Sequence, residues 1–241
     1  MIVTTQVHHC PNCHSPNIVK NGHTCYGAQR GLCHDCGKTR VLFRRRHRDP
    51  EKQAMIDRAL RERLSLRGIC RIFRVSLDRL LERIATLVAQ LPSLQETLVS
   101  AQPDDVLELD ELYSFVGKKK NKRWLWVALC RRTRQVVAFV IGDRSERTCR
   151  RLYRRLPQAY RHCGSYSDFW AAYAKVFQRG RHQSVDKRSG QTAHVERWNC
   201  TLRQRVSRYV RRSLAFSKVD RNHYLFTENF IVHYNLELIN T

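Results

Sequence analysis

Long apolar runs are missing from this 241-residue chain. A helix that crosses a membrane needs roughly 18 consecutive apolar residues; the most apolar stretch, residues 124–129, stops at six. The N-terminus also lacks the apolar h-region of a signal peptide, so a soluble, cytoplasmic protein with no membrane partner is expected. Acidic residues are scarce: 21 Asp and Glu stand against 45 Lys and Arg, a formal net charge of +24 with a pI near 10.3. The excess recurs through the chain, in Arg44-Arg45-Arg46, Lys118-Lys119-Lys120, Arg150-Arg151 and Arg211-Arg212. Such an imbalance repels itself unless a polyanion neutralises it, which favours nucleic acid over an anionic membrane surface.

Of ten cysteines only four are patterned. Cys10-Pro-Asn-Cys13 and Cys33-His-Asp-Cys36 are two Cys-x-x-Cys pairs separated by 19 residues. Each tight turn supplies two thiolates, and two turns complete a closed tetrahedral shell, which points to a structural zinc site and not a catalytic one. No βαβ pattern surrounds either pair, which argues against a thioredoxin-type redox role. A hairpin turning at Asn21-Gly22 and a last strand over residues 39–43 would complete a zinc ribbon over residues 1–44, too small to fold on its own core without metal. Cys25, Cys70, Cys130, Cys149, Cys163 and Cys200 are scattered and read as ordinary reduced thiols.

Residues 49–91 read as a small all-α module. Asp49-Pro50-Glu51 is a helix start. A second short helix, a turn at Arg74-Val75-Ser76 and a long basic helix to Leu91 give the helix-turn-helix pattern. Arg79 and Arg83 lie one turn apart where a recognition helix meets base edges. Arg74 stands in the turn where glycine is usual, so the turn is either strained or of different geometry. Leu77, Leu81, Ile84, Val88 and Leu91 form an apolar stripe for burial against the second helix, with a short dimer seam as the alternative.

Residues 104–241 change texture. Three strand-like runs, a basic helix over 146–160, a short strand ending on Asp168, a helix over 170–177, a strand at 182–186 and a long helix over 191–212 give an α/β order with one mixed sheet. Between Glu146 and Arg212 the only carboxylates are Glu146, Asp168, Asp186 and Glu196. The first strand carries Glu108, Asp110 and Glu111, readable as the polar face of an edge strand. Asp110, Asp168 and Glu196, from two strands and a helix, could instead converge on hard cations such as Mg²⁺.

The blocks Glu108-Leu-Asp110-Glu-Leu-Tyr, Ser167-Asp168-Phe-Trp-Ala-Ala-Tyr173 and His194-Val-Glu196-Arg-Trp-Asn199-Cys-Thr-Leu-Arg203-Gln resemble the three signature blocks of DDE transposases with a ribonuclease-H-like core. With the zinc ribbon and helix-turn-helix, the whole chain resembles the transposases of the insertion sequence 1 family, although here a single continuous chain spans what many members encode in two reading frames. The resemblance implies a multi-domain protein: zinc ribbon, helix-turn-helix and, over 104–241, an α/β ribonuclease-H-like catalytic domain. It implies that Asp110, Asp168 and Glu196 are catalytic and bind two Mg²⁺, with Mn²⁺ as the alternative, and that Asp186 falls outside the trio. Arg203 and Lys218 would hold the DNA backbone. The partners would be double-stranded DNA, as terminal inverted repeats and target, and further copies of the chain in a homodimer or larger active complex associated with the nucleoid. Two rivals remain: a DNA-binding regulator without catalysis, and a recombinase using Tyr113 or Tyr173 as a covalent nucleophile.

Overall fold

The computed structural model describes residues 7–25, 27–42, 49–177, 181–210 and 212–239, in two compact units, residues 1–50 and 51–241. Phe43, Arg44-Arg45-Arg46 and Arg211, used above, lie outside the described residues.

In the first unit β1 (Ile18–His23), β2 (Gln29–Cys33) and β3 (Thr39–Val41) form an antiparallel sheet in that order. Asn21-Gly22 is not its hairpin turn. β1 continues to His23, and the chain reverses between Thr24 and Ala28, whose ends are joined by the Thr24 N–H donating to the Ala28 carbonyl at 2.9 Å. Gly22, at φ 65°, makes a bulge instead: β1 advances three residues from Lys20 to His23 while β2 passes two, from Gly31 to Gln29. The extra residue needs a left-handed backbone, which glycine adopts without a Cβ clash.

The second unit begins with α1 (Pro50–Ala59), α2 (Leu66–Phe73) and α3 (Leu77–Gln90). Ser65 and Ser76 cap α2 and α3 by accepting from the Gly68 and Arg79 amides at 3.0 and 3.3 Å, which satisfies N–H groups that the helix cannot. The turn between them is strained, as Arg74 warned: it sits at φ 51°, ψ 50°, a left-handed conformation costly for a residue with a Cβ. Ile56, Leu60, Ile69, Leu80 and Ile84 pack together with Phe226 from the far end of the chain. Of the apolar stripe of α3, Ile84 is buried in this core and Leu81 and Val88 pack against it, with α2 and α7 (Asp220–Ile239) as the neighbouring helices.

The sheet of this unit contains β4 (Val106–Phe115), β5 (Lys122–Cys130), β6 (Val136–Gly142), β7 (Gly164–Ser167) and β8 (His182–Ser184), in the order β6-β5-β4-β7-β8. The first three form an antiparallel meander, and β7 and β8 add parallel to β4. Period-two alternation sends Leu107, Leu109 and Trp126 to one face, under α4 (Glu146–Arg155) and α5 (Ala171–Val176). It sends Leu112, Leu125 and Val127 to the other, under α6 (Ala193–Arg205) and α7. Two helices are shorter than expected. α4 stops because Pro157 forces Leu156 out of the helical region, to ψ 131°. α6 ends at the extended Val206, and residues 207–209 form a separate 3-10 turn.

Candidate carboxylate site and metal centre

The four patterned cysteines meet. Sγ–Sγ separations are 3.7 Å for Cys10–Cys36 and 3.5 Å for Cys13–Cys33, and all four sulfurs lie within 4.8 Å of one another. Four sulfurs placed ~2.3 Å from a tetrahedral zinc would be roughly 3.8 Å apart, so the cluster can hold that ion. The two turns are built alike: the His14 N–H donates to the Cys10 carbonyl at 2.8 Å and the Gly37 N–H to the Cys33 carbonyl at 2.9 Å, with both donors at positive φ. The backbone amides of Cys13 and Asn12 hold the Cys10 thiol below its ordinary pKa, while burial and the neighbouring thiols push Cys13 above its own, so the four sulfurs share their protons unequally without a metal.

The acids of β4 are not the polar face of an edge strand, because β5 pairs along one side of β4 and β7 along the other. Glu108 has a side chain 0 % exposed. It accepts from the His194 and Val195 amides at 2.9 and 3.0 Å, from His194 Nδ1 at 2.6 Å and from Arg131 Nε at 2.8 Å. It is thus an internal cap on the first turn of α6, the helix that carries Glu196. Glu111, on the opposite face, takes the Tyr173 hydroxyl at 2.8 Å and Arg144 at 2.6 Å. Burial pushes its carboxyl pKa up, with the charge of Asp168 acting in the same direction. A buried carboxylate needs such donors.

Asp110 and Asp168 are aligned by strand register. Val106, Leu107 and Glu108 pair with Gly164, Ser165 and Tyr166, so the next steps set Ser167 against Leu109 and Asp168 against Asp110. β7 ends at Ser167, so beyond that point β4 loses its neighbour on this side and the two half-buried carboxylates flank the gap. Neighbouring strands lie ~4.8 Å apart. α6 joins them through Asn199, whose amide donates to Asp110 at 2.7 Å. Glu196 lies three residues earlier on α6, hence on the same helix face. Thr192 donates to Glu196 at 2.9 Å, and the Trp170 amide donates to Asp168 at 3.0 Å. Among the described residues only the cysteine group has three or more ligand atoms all within 4.8 Å; the three carboxylates share one end of the sheet without closing to that distance.

Other predicted residues divide. Arg79 is exposed on α3, but Arg83 clamps Asp57 of α1 through both prongs of its guanidinium, with Nε at 2.8 Å. Arg203, seven residues after Glu196, donates to the Tyr209 carbonyl at 3.4 Å, and the exposed Lys218 lies 3.4 Å from the Phe216 ring centre. Tyr173 is no accessible nucleophile: it is fully buried, bonded to Glu111 and held well above its ordinary pKa by burial. Sequence reasoning missed Asn199 and the capping role of Glu108. The one available signal was their place inside the same blocks as Asp110 and Glu196.

A match over residues 105–235 to the family described as IS1 transposase defines the class of this chain: it is an insertion-sequence transposase. It is similar to the insertion element iso-IS1n protein InsB of Shigella dysenteriae, 36% identical over 116 residues, which are 47% of this chain and 83% of that protein. The insertion element IS1 protein InsB of Shigella flexneri is 39% identical over 111 residues, 46% of this chain and 82% of that protein. The insertion element IS1 4 protein InsB of Escherichia coli (strain K12) is 37% identical over 111 residues, 46% of this chain and 64% of that protein. The chain belongs to the IS1 transposase family.

Proposed function

We propose that residues 104–241 form a ribonuclease-H-like DDE domain that cuts phosphodiesters at the ends of its element and joins the freed 3′-hydroxyl to target DNA. The observation that carries this reading is the register of β4 and β7, which sets Asp110 level with Asp168 at the point where β7 stops, while Asn199 ties the Glu196 helix to Asp110. The donor set is all carboxylate oxygen, suited to hard cations, and Asp110, Asp168 and Glu196 would hold two Mg²⁺. Bound there, the ions would supply charge stabilisation for the attacking and leaving oxygens of an in-line displacement. The protein's own part is placement: Glu108 fixes the start of α6, Asn199 orients Asp110, and no covalent protein nucleophile is required.

The remaining basic surface serves DNA. The zinc ribbon, residues 1–44, and the helix-turn-helix, residues 49–91, would find the terminal inverted repeats, with Arg79 the arginine that reaches base edges. Arg83 can join it only by leaving Asp57. Arg203 and Lys218 would hold the phosphate backbone near the carboxylates, which positions DNA without reading sequence. Action on two element ends calls for a homodimer or larger assembly, in the cytoplasm at the nucleoid.

The test uses the full chain, because α1–α3 share their core with Phe226 and a fragment ending at Leu91 would expose Leu80 and Ile84. Nicking and strand transfer on DNA carrying the native element ends are measured in Mg²⁺, beside gel-shift binding. Asp168→Asn, Asp110→Asn and Glu196→Gln are expected to lose about a thousandfold or more in cleavage rate, since metal-ion stabilisation is worth several kcal/mol, with DNA affinity kept. Glu146→Gln, at a half-buried acid whose partners Arg150 and Lys175 lie outside the proposed site, serves as the control that cuts normally. If Asp168→Asn cuts at the wild-type rate, the metal reading is wrong and a DNA-binding regulator takes its place.

A further inference from the structure

One cavity opens beside Asp168, about 340 Å³ in volume and lined by Arg144, Asp168, Phe169, Trp170, Val185 and Asp186. It lies just past the carboxyl ends of the parallel strands β7 and β8, where α/β sheets take their ligands. Its lining is chemically specific. Phe169 is 68% exposed, an aromatic ring offered to solvent directly after a carboxylate. The Trp170 indole N–H is buried and meets no acceptor among the described residues. Arg144 is fixed in place, paired with Glu111 at 2.6 Å and stacked 4.2 Å from the Trp170 ring and 4.8 Å from the Trp124 ring. Asp186 adds a carboxylate whose Oδ1 accepts from the Arg188 amide at 2.8 Å, which anchors it in its loop.

An open ring face, an anchored acceptor and a fixed cation suit a flat heteroaromatic ring with donors and acceptors on its edge. A phosphate would use the cation but not the ring face. The volume is at the small end for ligand sites and admits one ring system, not a stacked strand. We propose that the cavity receives a single nucleobase unstacked from the DNA end beside the phosphate to be cut, with the base on Phe169 and its amino edge toward Asp186. The proposal rests on Asp168 belonging to the reaction centre. Unstacking is unfavourable within a duplex, and stacking on an aromatic side chain offsets it. The opened duplex would let the phosphate enter the gap where β7 stops beside β4.

The test places 2-aminopurine, in turn, at each position flanking the cut in element-end duplexes bound by the full chain. Emission at one position is expected to rise with wild type, with Asp168→Asn and with Phe169→Tyr, and to stay at the duplex level with Phe169→Ala. Phe169→Ala should also slow cleavage about tenfold or more, and an abasic site at the responding position, which leaves no base to unstack, should restore the rate. If no position responds with wild type, or the rise persists in Phe169→Ala, the cavity takes no base. That failure is separable from failure of the metal reading: Asp168→Asn cutting normally removes the latter, whereas a lost emission change with cleavage still dependent on Asp168 removes only the former.

Discussion

Glu108→Ala is the substitution whose cost can be worked most fully from the structure. The wild-type carboxylate accepts four hydrogen bonds: two from the backbone of α6, one from the His194 ring and one from Arg131. Alanine leaves two helix N–H groups unmet in a buried place. It also strips Arg131 of its acid, although the Gln191 carbonyl and side chain still hold that guanidinium at 2.7 and 3.0 Å. Charge-assisted bonds of this kind contribute about 1.5–3 kcal/mol each, but they are not additive, and breaking one buried pair costs about 3–5 kcal/mol. For a unit of this size each kcal/mol lowers the melting temperature by roughly 2–4 °C, so the second unit should melt about 6–20 °C earlier. Glu108→Gln keeps one acceptor and the shape, and should lose less. Calorimetry of both variants checks the stability. Cleavage, measured at a temperature where each remains folded, should still fall, because α6 carries Glu196. A Glu108→Ala melting temperature within 2 °C of wild type would refute the internal cap, since about 3 kcal/mol cannot vanish into so small a shift.

Other outcomes follow from single features. One zinc per chain should be found by elemental analysis, and Cys33→Ser or a strong chelator should remove it and unfold the first unit while the melting of the second persists. Arg74→Gly relieves the left-handed strain at φ 51° and should raise the stability of the second unit by about 0.5–1 kcal/mol in urea unfolding. Burial pushes His223, flanked by Ser114 and Ser217, down to about 4; Arg208 and Arg123 push the same way and Asp220 opposes. Between about pH 6.5 and 4 the unfolded chain therefore takes up a proton that the folded chain refuses, and stability should fall as the pH falls, by about 3 kcal/mol over the window. His223→Asn should flatten that slope. His182 and His233, both lowered chiefly by burial, leave a smaller slope of the same sign.

The strands were legible for a different reason from the helices: β5 and β6 are covered on both faces, by α4 and α5 on one and by α6 and α7 on the other, and so read as short continuous apolar runs between turns. α3 shows a single stripe because one side of it is wet. The 20-residue α7 gave no such signal for a physical reason: Phe226 enters the core of α1–α3, whereas Phe230 and Ile231 enter the core beneath the sheet. A helix buried on two sides has apolar residues around its whole circumference and no stripe to read. Asn235 compounds the disguise. It is a fully buried polar residue on that helix, yet it exchanges two hydrogen bonds at 2.9 Å with the backbone of Val136 and so joins α7 to the edge strand β6.

The acids were harder to sort, because sequence spacing shows which carboxylates can meet but not what holds each one. Five of them crowd this end of the sheet. Glu108 and Glu111 are buried and each is matched by a guanidinium, Arg131 or Arg144, so their charge is neutralised within the fold. Asp168 and Glu196 are half-buried and are held by neutral donors, the Trp170 amide and the Thr192 hydroxyl, and Asp110 takes the Asn199 amide. A neutral donor orients a carboxylate without cancelling its charge, whereas an arginine partner does both. In a chain with 45 Lys and Arg, neutral donors on Asp168 and Glu196 leave their charge uncancelled beside a gap in the sheet, which under the function proposed above anionic DNA phosphates would approach. Like charges in that arrangement would repel, and cations between carboxylate and phosphate would turn the repulsion into attraction. The feature separating the two sets is therefore the charge of the partner, a tertiary property. Glu108 and Asp110, two residues apart on one strand, could not be told apart until α6 was in place.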